Sequence, residues 1–368
     1  MARALIIGAG GIGRGFTPWV LERFDIDFFD ANSALTGSIG ANGGYTSHMS
    51  DGESLTARRI EPRVITSNVS QLSLAEYDVA FVAVGPRNVD KLPPAVSQLR
   101  CPVFSLENDP ATVDVLKDQY GLANSYFGVP DVITSTTASP ESLLEDSNAL
   151  HTENGVLFLQ ESNAVSDQLR ALLPDVEWLP LEQMNAEWDA KLYIHNTPHC
   201  IAAFLGHLAG VTYVHESMAR PQTARIVDGV VEEILLGLKV ATGHDHRFLE
   251  WYAAKEIRRF SNRYLYDPVS RVAREPIRKL QPAGRLVGAL RLLLASGVQP
   301  TYLMGGIAAG LRYAAPGDAD AATMRLLDDF GIEAFLKFHL GLDPGSLESD
   351  YISGHFASAS AFLDRSMR

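Results

Sequence analysis

Ala4-Leu-Ile-Ile-Gly-Ala-Gly-Gly-Ile-Gly13 decides the first half of the fold. Four apolar residues form a buried strand, Gly8 permits a tight turn, and the spacing Gly8-x-Gly10-x-x-Gly13 opens a helix. Gly10 lets a backbone approach a pyrophosphate, and Gly13 lets helix pack on strand. Free N–H groups at the helix start then favour negative charge. A second strand ends in Asp30, seventeen positions beyond Gly13. A carboxylate there bonds the adenosine ribose hydroxyls and repels a 2′-phosphate, so the expected cofactor is NAD. FAD on the same fingerprint, or a glycine turn that binds nothing, are the weaker readings. Gly8, Gly10, Ile12, Gly13 and Asp30 are the expected cofactor contacts, joined by Gly85 from the turn Val84-Gly85-Pro86 that ends a later strand.

Outward from that turn, short apolar runs at 4–7, 26–29, 79–84, 103–106 and 156–159 alternate with helical stretches such as 14–24 and 111–120. That alternation implies βαβ units and a mostly parallel, buried sheet. Residues 33–66, punctuated by Gly37, Gly40, Gly43 and Gly44, read as β-rich turns. From about residue 185 the periodicity becomes helical, at 200–209, 224–241, 247–260, 284–295, 302–313 and 321–330. The expected fold is an α/β Rossmann-type N-terminal domain, residues 1–185, followed by a mostly α-helical C-terminal domain, residues 186–368, for substrate binding and catalysis.

Bulk properties exclude several classes. A chain of 368 residues exceeds the roughly 250–300 at which single cores stop growing. A net charge of −13 argues against nucleic acid as partner, and no uncharged apolar run is long enough for a membrane span. Cys101 and Cys200 suit reduced thiols, and the early strand leaves no room for a secretory signal, so the expected location is cytoplasmic. A monomer or weak homodimer is expected.

The second informative stretch is Lys191-Leu-Tyr-Ile-His-Asn-Thr-Pro-His199. Oxidising an alcohol requires a proton acceptor and polar groups that stabilise a developing alkoxide. Lys191 serves as base where burial depresses its pKa, Asn196 donates its amide N–H, and His199 orients the hydroxyl or relays the proton. Thr197-Pro198 reads as an N-cap and first helical residue, which sets Asn196 at the positive end of a helix. The plainer reading is a surface Lys, a loop Asn and a core His. A metal reading on His195, His199, Cys200 and His207 is weaker, because the proline interrupts the register and no Glu lies inside the pair. His244-Asp-His246 reads as a solvated loop.

These residues carry a resemblance. Gly8 to Phe16, Ala83-Val-Gly-Pro86, Glu107-Asn108, Lys191 to His199 and Arg271 to Leu280 together resemble the polyol-specific long-chain dehydrogenases over nearly the whole chain. The resemblance implies a metal-independent enzyme with Lys191 as general base and with Asn196 and Asn108 holding the alkoxide. It also implies NAD-dependent interconversion of a polyol phosphate and a ketose phosphate, most closely mannitol 1-phosphate and fructose 6-phosphate. An unphosphorylated polyol, a sugar acid such as mannonate, or a non-catalytic NAD sensor are the alternatives. Two departures stand out. Pro198 replaces a common Gly, and Asp131-Val-Ile-Thr-Ser-Thr-Thr137 replaces an Asp-Arg-Ile-Val-Pro-like segment.

Within this acidic chain one stretch is basic, with Lys255, Arg258, Arg259, Arg263, Arg271, Arg274, Arg278, Lys279 and Arg285 opposed by Glu256, Asp267 and Glu275. Lys255, Arg258 and Arg259 fit a solvated helix face. Arg274, Arg278 and Lys279, gathered around Pro276, are the expected grip on the substrate phosphate.

Overall fold

Alternation along β1 (Ala2–Ile7) shows how the sheet is buried. Ala4 and Ile6 pack into one apolar cluster and Leu5 and Ile7 into another, all four without solvent exposure. Successive strand residues point to opposite faces, so both faces of the sheet are covered. The computed structural model describes residues 2–241 and 246–367. It divides into two units, Met1–Trp188 with Tyr264–Tyr266, and Asp189–Arg263 with Asp267–Arg368.

The first unit is built on β1, β2 (Phe24–Phe29), β3 (Tyr45–Ser50), β4 (Leu55–Ile60), β5 (Val64–Thr66), β6 (Val79–Val82), β7 (Val103–Ser105), β8 (Ser125–Asp131), β9 (Leu150–Glu153), β10 (Val156–Gln160) and β11 (Val176–Leu179). Eight of these form one sheet in the order β5-β2-β1-β6-β7-β8-β10-β11, and β4-β3-β9 form a second. Every neighbouring pair of the large sheet is parallel except β8 with β10. Because β2, β1, β6 and β7 are adjacent and parallel, the turns that follow them share one edge. That edge bears Asp30, Gly8, Gly85 and Asn108.

Residues 33–66 are β-rich as expected but open with a helix that was not. Ser33–Ala41 is a helix, because the Asn32 side chain accepts from Leu35 N–H and caps its start despite Gly37 and Gly40. The remainder supplies β3, β4 and β5. The helix expected over 14–24 is also shorter. A π-helix over Gly11–Phe16 passes into Thr17–Val20, and β2 begins at Phe24.

Every element named among the described residues of the second unit is a helix. Its long helices are Thr197–Leu208, Pro221–Ala241, His246–Phe260, Arg285–Ala295, Thr301–Leu311, Ala321–Phe330 and Leu347–Ser366. A buried carboxylate organises part of it. Glu233 accepts from Tyr302 N–H (2.8 Å) and Leu303 N–H (2.9 Å), satisfying donors that the helix start leaves open. Burial raises the Glu233 carboxyl to about 7. The expectation for the loop His244-Asp-His246 falls largely outside the described residues.

Candidate active site

The glycine turn leaves no room for side chains where the chain must close on itself. Gly8 has φ +104°, and a Cβ there would sit 2.3 Å from the Ala83 carbonyl oxygen. A Cβ on Gly13 would sit 1.8 Å from Gly8 O. Gly10 differs, since its Cβ would meet only Ala83 O at 4.0 Å, so its outer side is open. Closure at Gly8 and Gly13 with space at Gly10 fits the division of labour that a pyrophosphate requires. Asp30 stands beside this turn, with Oδ2 accepting from Ala9 N–H (2.6 Å) and Oδ1 from Asn32 N–H (2.8 Å). Ile12 is half-buried against the core of that sheet face. These residues therefore fit an adenine dinucleotide.

Further along the same edge, Gly85 adopts φ +90°. The Glu107 carboxylate accepts from the N–H groups of Val84 (2.6 Å) and Gly85 (2.9 Å). Asn108 follows on the exposed side of this clamp. The segment that departs from the family pattern also lies at the turn, because a Cβ on Gly11 would meet Thr134 Oγ1 at 2.6 Å.

In the helical unit, Lys191–Asn196 is a π-helix that continues directly into Thr197–Leu208. Asn196 has helical φ −66° and ψ −33°, so no helix begins at Thr197 and the helix-end contribution expected at Asn196 does not arise. The proline is the cause. Pro198 has no N–H and crowds the carbonyl four residues back, and a widened turn just upstream relieves both. In a regular α-helix, positions five apart diverge by about 140°. With i to i+5 bonding they return to one side, so the Lys-x4-Asn spacing and the π turn belong together.

Lys191 and Asn196 are buried, at 4% and 6% exposure. The Asn196 amide nitrogen is enclosed with no hydrogen-bond acceptor, while its backbone carbonyl accepts from Arg285 Nη1 (3.2 Å). His199 lies parallel to the Phe260 ring, centroids 5.1 Å apart, with Nε2 3.2 Å from Asp267 Oδ2. Arg271 holds the other oxygen of that carboxylate at 2.6 Å. Burial pushes the Asp267 pKa up, but the charge of Arg271 and the contact with His199 outweigh it and leave the pKa below the usual range. His195 is committed to Glu256, which Arg259 also engages. Among the described residues no cluster of three or more His, Cys, Asp or Glu side chains could hold a metal ion.

The basic stretch contributes unequally. Lys279 is buried and donates to the Arg274 carbonyl. Burial first, then the Arg285 charge, pushes its ammonium down to about 7. Arg278 pairs with Glu275 at 2.9 Å, and the Arg274 side chain is exposed. Sequence reasoning assigned no role to Glu107, Asp267, Glu256 or Arg285. Asp267 and Arg285 lie 68 and 89 positions from the residues they hold, and Glu256 lies 61 from His195, so no local spacing betrays them. Glu107 had one signal, its place directly before Asn108.

The glycine turn with its acid, and the buried Lys–Asn–His set of the helical unit, agree with the polyol dehydrogenase class that the sequence resembles. Residues 187–337 match the family model for the mannitol dehydrogenase C-terminal domain. A mannitol-1-phosphate 5-dehydrogenase of Exiguobacterium sp. is 30% identical, the match covering 93% of this chain and 94% of the relative. Another, of Caldanaerobacter subterraneus, is 28% identical with 96% of each chain covered. Among solved structures, a ternary complex of Pseudomonas fluorescens mannitol 2-dehydrogenase with NAD and D-mannitol superposes with TM-score 0.80 at 16% identity, covering 100% of this chain and 92% of that one. The chain belongs to the mannitol-1-phosphate 5-dehydrogenase family of the polyol-specific long-chain dehydrogenases.

Proposed function

We propose that this chain is an NAD-dependent dehydrogenase interconverting mannitol 1-phosphate and fructose 6-phosphate. The observation that supports it best is the setting of Asn196. Its buried amide nitrogen lacks an acceptor, as a donor reserved for a substrate oxygen would, and its carbonyl is held by Arg285. Arg285 and Lys279 are cations acting on one another, and Glu275, the carboxylate in reach, is engaged by Arg278. Two cations brought together under burial favour an anionic ligand, and a phosphate ester supplies one.

In this reading Lys191 takes the hydroxyl proton, Asn196 donates to the alkoxide and His199, held through Asp267, orients the hydroxyl. Asn108 keeps the role of second amide donor. Gly8, Gly10, Ile12, Gly13, Asp30 and Gly85 hold the dinucleotide, and the Asp30 carboxylate takes the ribose hydroxyls and disfavours a 2′-phosphate. Bound NAD supplies the acceptor for the hydride. Lys279, Arg278, Arg274 and Arg285 receive the substrate phosphate. Buried, unpaired Cys101 and Cys200 support a cytoplasmic setting, and a monomer or weak homodimer remains the proposed state. No described helix is long and apolar enough to cross a membrane.

The test is NADH oxidation with fructose 6-phosphate and, separately, with fructose. Turnover with the phosphate alone is expected. Turnover with fructose alone would remove the phosphate from the proposal and leave the dehydrogenase.

A further inference from the structure

Glu107 ends the β7 strand region with its carboxylate turned inward at 5% exposure, the kind of placement a charged group avoids without cause. One of its oxygens collects two consecutive backbone N–H groups, those of Val84 and Gly85, from the turn after the neighbouring strand β6. Paired N–H groups aimed at one point form an anion-binding concavity, here filled by the protein's own side chain. The positive φ of Gly85 is part of this arrangement, since it turns the backbone in a way other residues rarely adopt. The turn has a second tie, in which Asn88 Nδ2 donates to Val84 O at 2.9 Å. Glu107 thus joins the loop after β6 to the loop after β7, directly before Asn108.

We propose that Glu107 is a positioning residue for the dinucleotide: its carboxylate locks the Val84–Gly85 turn to the Asn108 loop, and loss of its charge loosens cofactor binding. This inference rests on the cofactor reading given above. Burial raises the Glu107 carboxyl to about 7 against the pull of the two N–H groups, with Asp109 adding to the rise. The clamp is therefore charged above neutrality and fades below it. The other charged residues of the facing turn are Arg87 and Asp90, both exposed, and Lys91, which reaches Asn88 at 3.5 Å. Charge-assisted hydrogen bonds are roughly twice as strong as neutral ones, so protonation weakens both contacts without abolishing them.

The experiment is NADH binding by fluorescence titration between pH 6 and 8.5, on the wild type, Glu107→Gln and Glu107→Ala. The wild type is expected to bind about fivefold more weakly at pH 6 than at pH 8. Glu107→Gln keeps an acceptor of the same shape, so it should fold, bind near the wild-type pH 6 level and show no such slope. Glu107→Ala should bind more weakly still at every pH. A merely structural glutamate would lower Tm without removing the slope. Wild-type affinity and slope in Glu107→Gln would overturn the inference, as would undiminished binding by Glu107→Ala. Absence of NADH binding by the wild type at every pH would instead sink the cofactor reading, and this inference with it.

Discussion

The glycine turn of the α/β unit and the Lys191–His199 run of the helical unit are made with one local device. Each is a six-residue π-helix, Gly11–Phe16 and Lys191–Asn196, followed by Thr-Pro. In each, the threonine hydroxyl donates to the carbonyl five residues back, Thr17 to Ile12 O at 2.9 Å and Thr197 to Leu192 O at 3.1 Å. Pro18 and Pro198 withhold an N–H in both, and Tyr45 Oη takes up the carbonyl that Pro18 leaves open, Arg14 O, at 2.7 Å. What differs is the content of the widened turn. The first holds Gly11, Gly13 and Gly15, so it offers backbone. The second offers buried side chains, Lys191 and Asn196. On the proposed function, one geometry would bring main chain to the dinucleotide in one unit and align the base and amide donor in the other.

The strongest way to break that comparison is Lys191→Ala. It should lower kcat by roughly 10²–10⁴ at neutral pH, with NADH affinity unchanged in a fluorescence titration. A loss below about tenfold would remove Lys191 from its role. Gly10→Ala is the counterpart at the residue that opens the other turn. Its Cβ has room in the free protein, so Tm should hold while NADH affinity drops about tenfold or more, because the backbone can no longer approach. Unaltered affinity would show that main-chain approach at Gly10 is not what the first turn provides.

The proposed phosphate grip gives an intermediate effect. Lys279 is cationic below about 7 and neutral above it, so KM for fructose 6-phosphate should rise as pH increases through that value. The rise should be about fivefold from pH 7 to 8 and absent in Lys279→Met, measured by initial rates at saturating NADH. An unchanged slope in that variant would place the titrating group elsewhere. The smallest effects sharpen the comparison itself. Thr17→Val should raise KM for NADH, and Thr197→Val should lower kcat, each by about two- to tenfold, the worth of one hydrogen bond. Serine at either position should restore activity. If both variants altered the same parameter, the two turns would not be doing separate jobs.

How much of this was legible depended on distance along the chain. Gly8 to Gly13, Asp30 and the parallel strands are local patterns, and the sequence displays them. So are helices such as Ala321–Phe330, where apolar residues recur at helical spacing. Leu347–Ser366 was not legible, because its Ser, Ala and Gly positions blur the apolar stripe, and Ser33–Ala41 was hidden behind its glycines. The π turns were missed for a physical reason. Pro198 reads as the start of a helix and Pro18 falls inside the helix expected over 14–24, while the chain widens the turn before each proline. Of the candidate site, Lys191, Asn196 and His199 stand out through their spacing. The partners that hold His199 and Asn196, Asp267 and Arg285, come from distant segments that only the folded chain brings near.

The enclosed amide nitrogen of Asn196 has a thermodynamic consequence. A buried donor without an acceptor costs the resting protein about 1–3 kcal/mol, which in the proposed role is recovered when a substrate oxygen pairs with it. The free enzyme is therefore less stable than its fold allows, and replacing Asn196 with the similarly sized, apolar Leu should raise Tm while silencing turnover. If Asn196 holds the alkoxide as proposed, heat tolerance and catalysis are set against each other at one atom, and selection for a hardier variant is expected to erode activity first at this position.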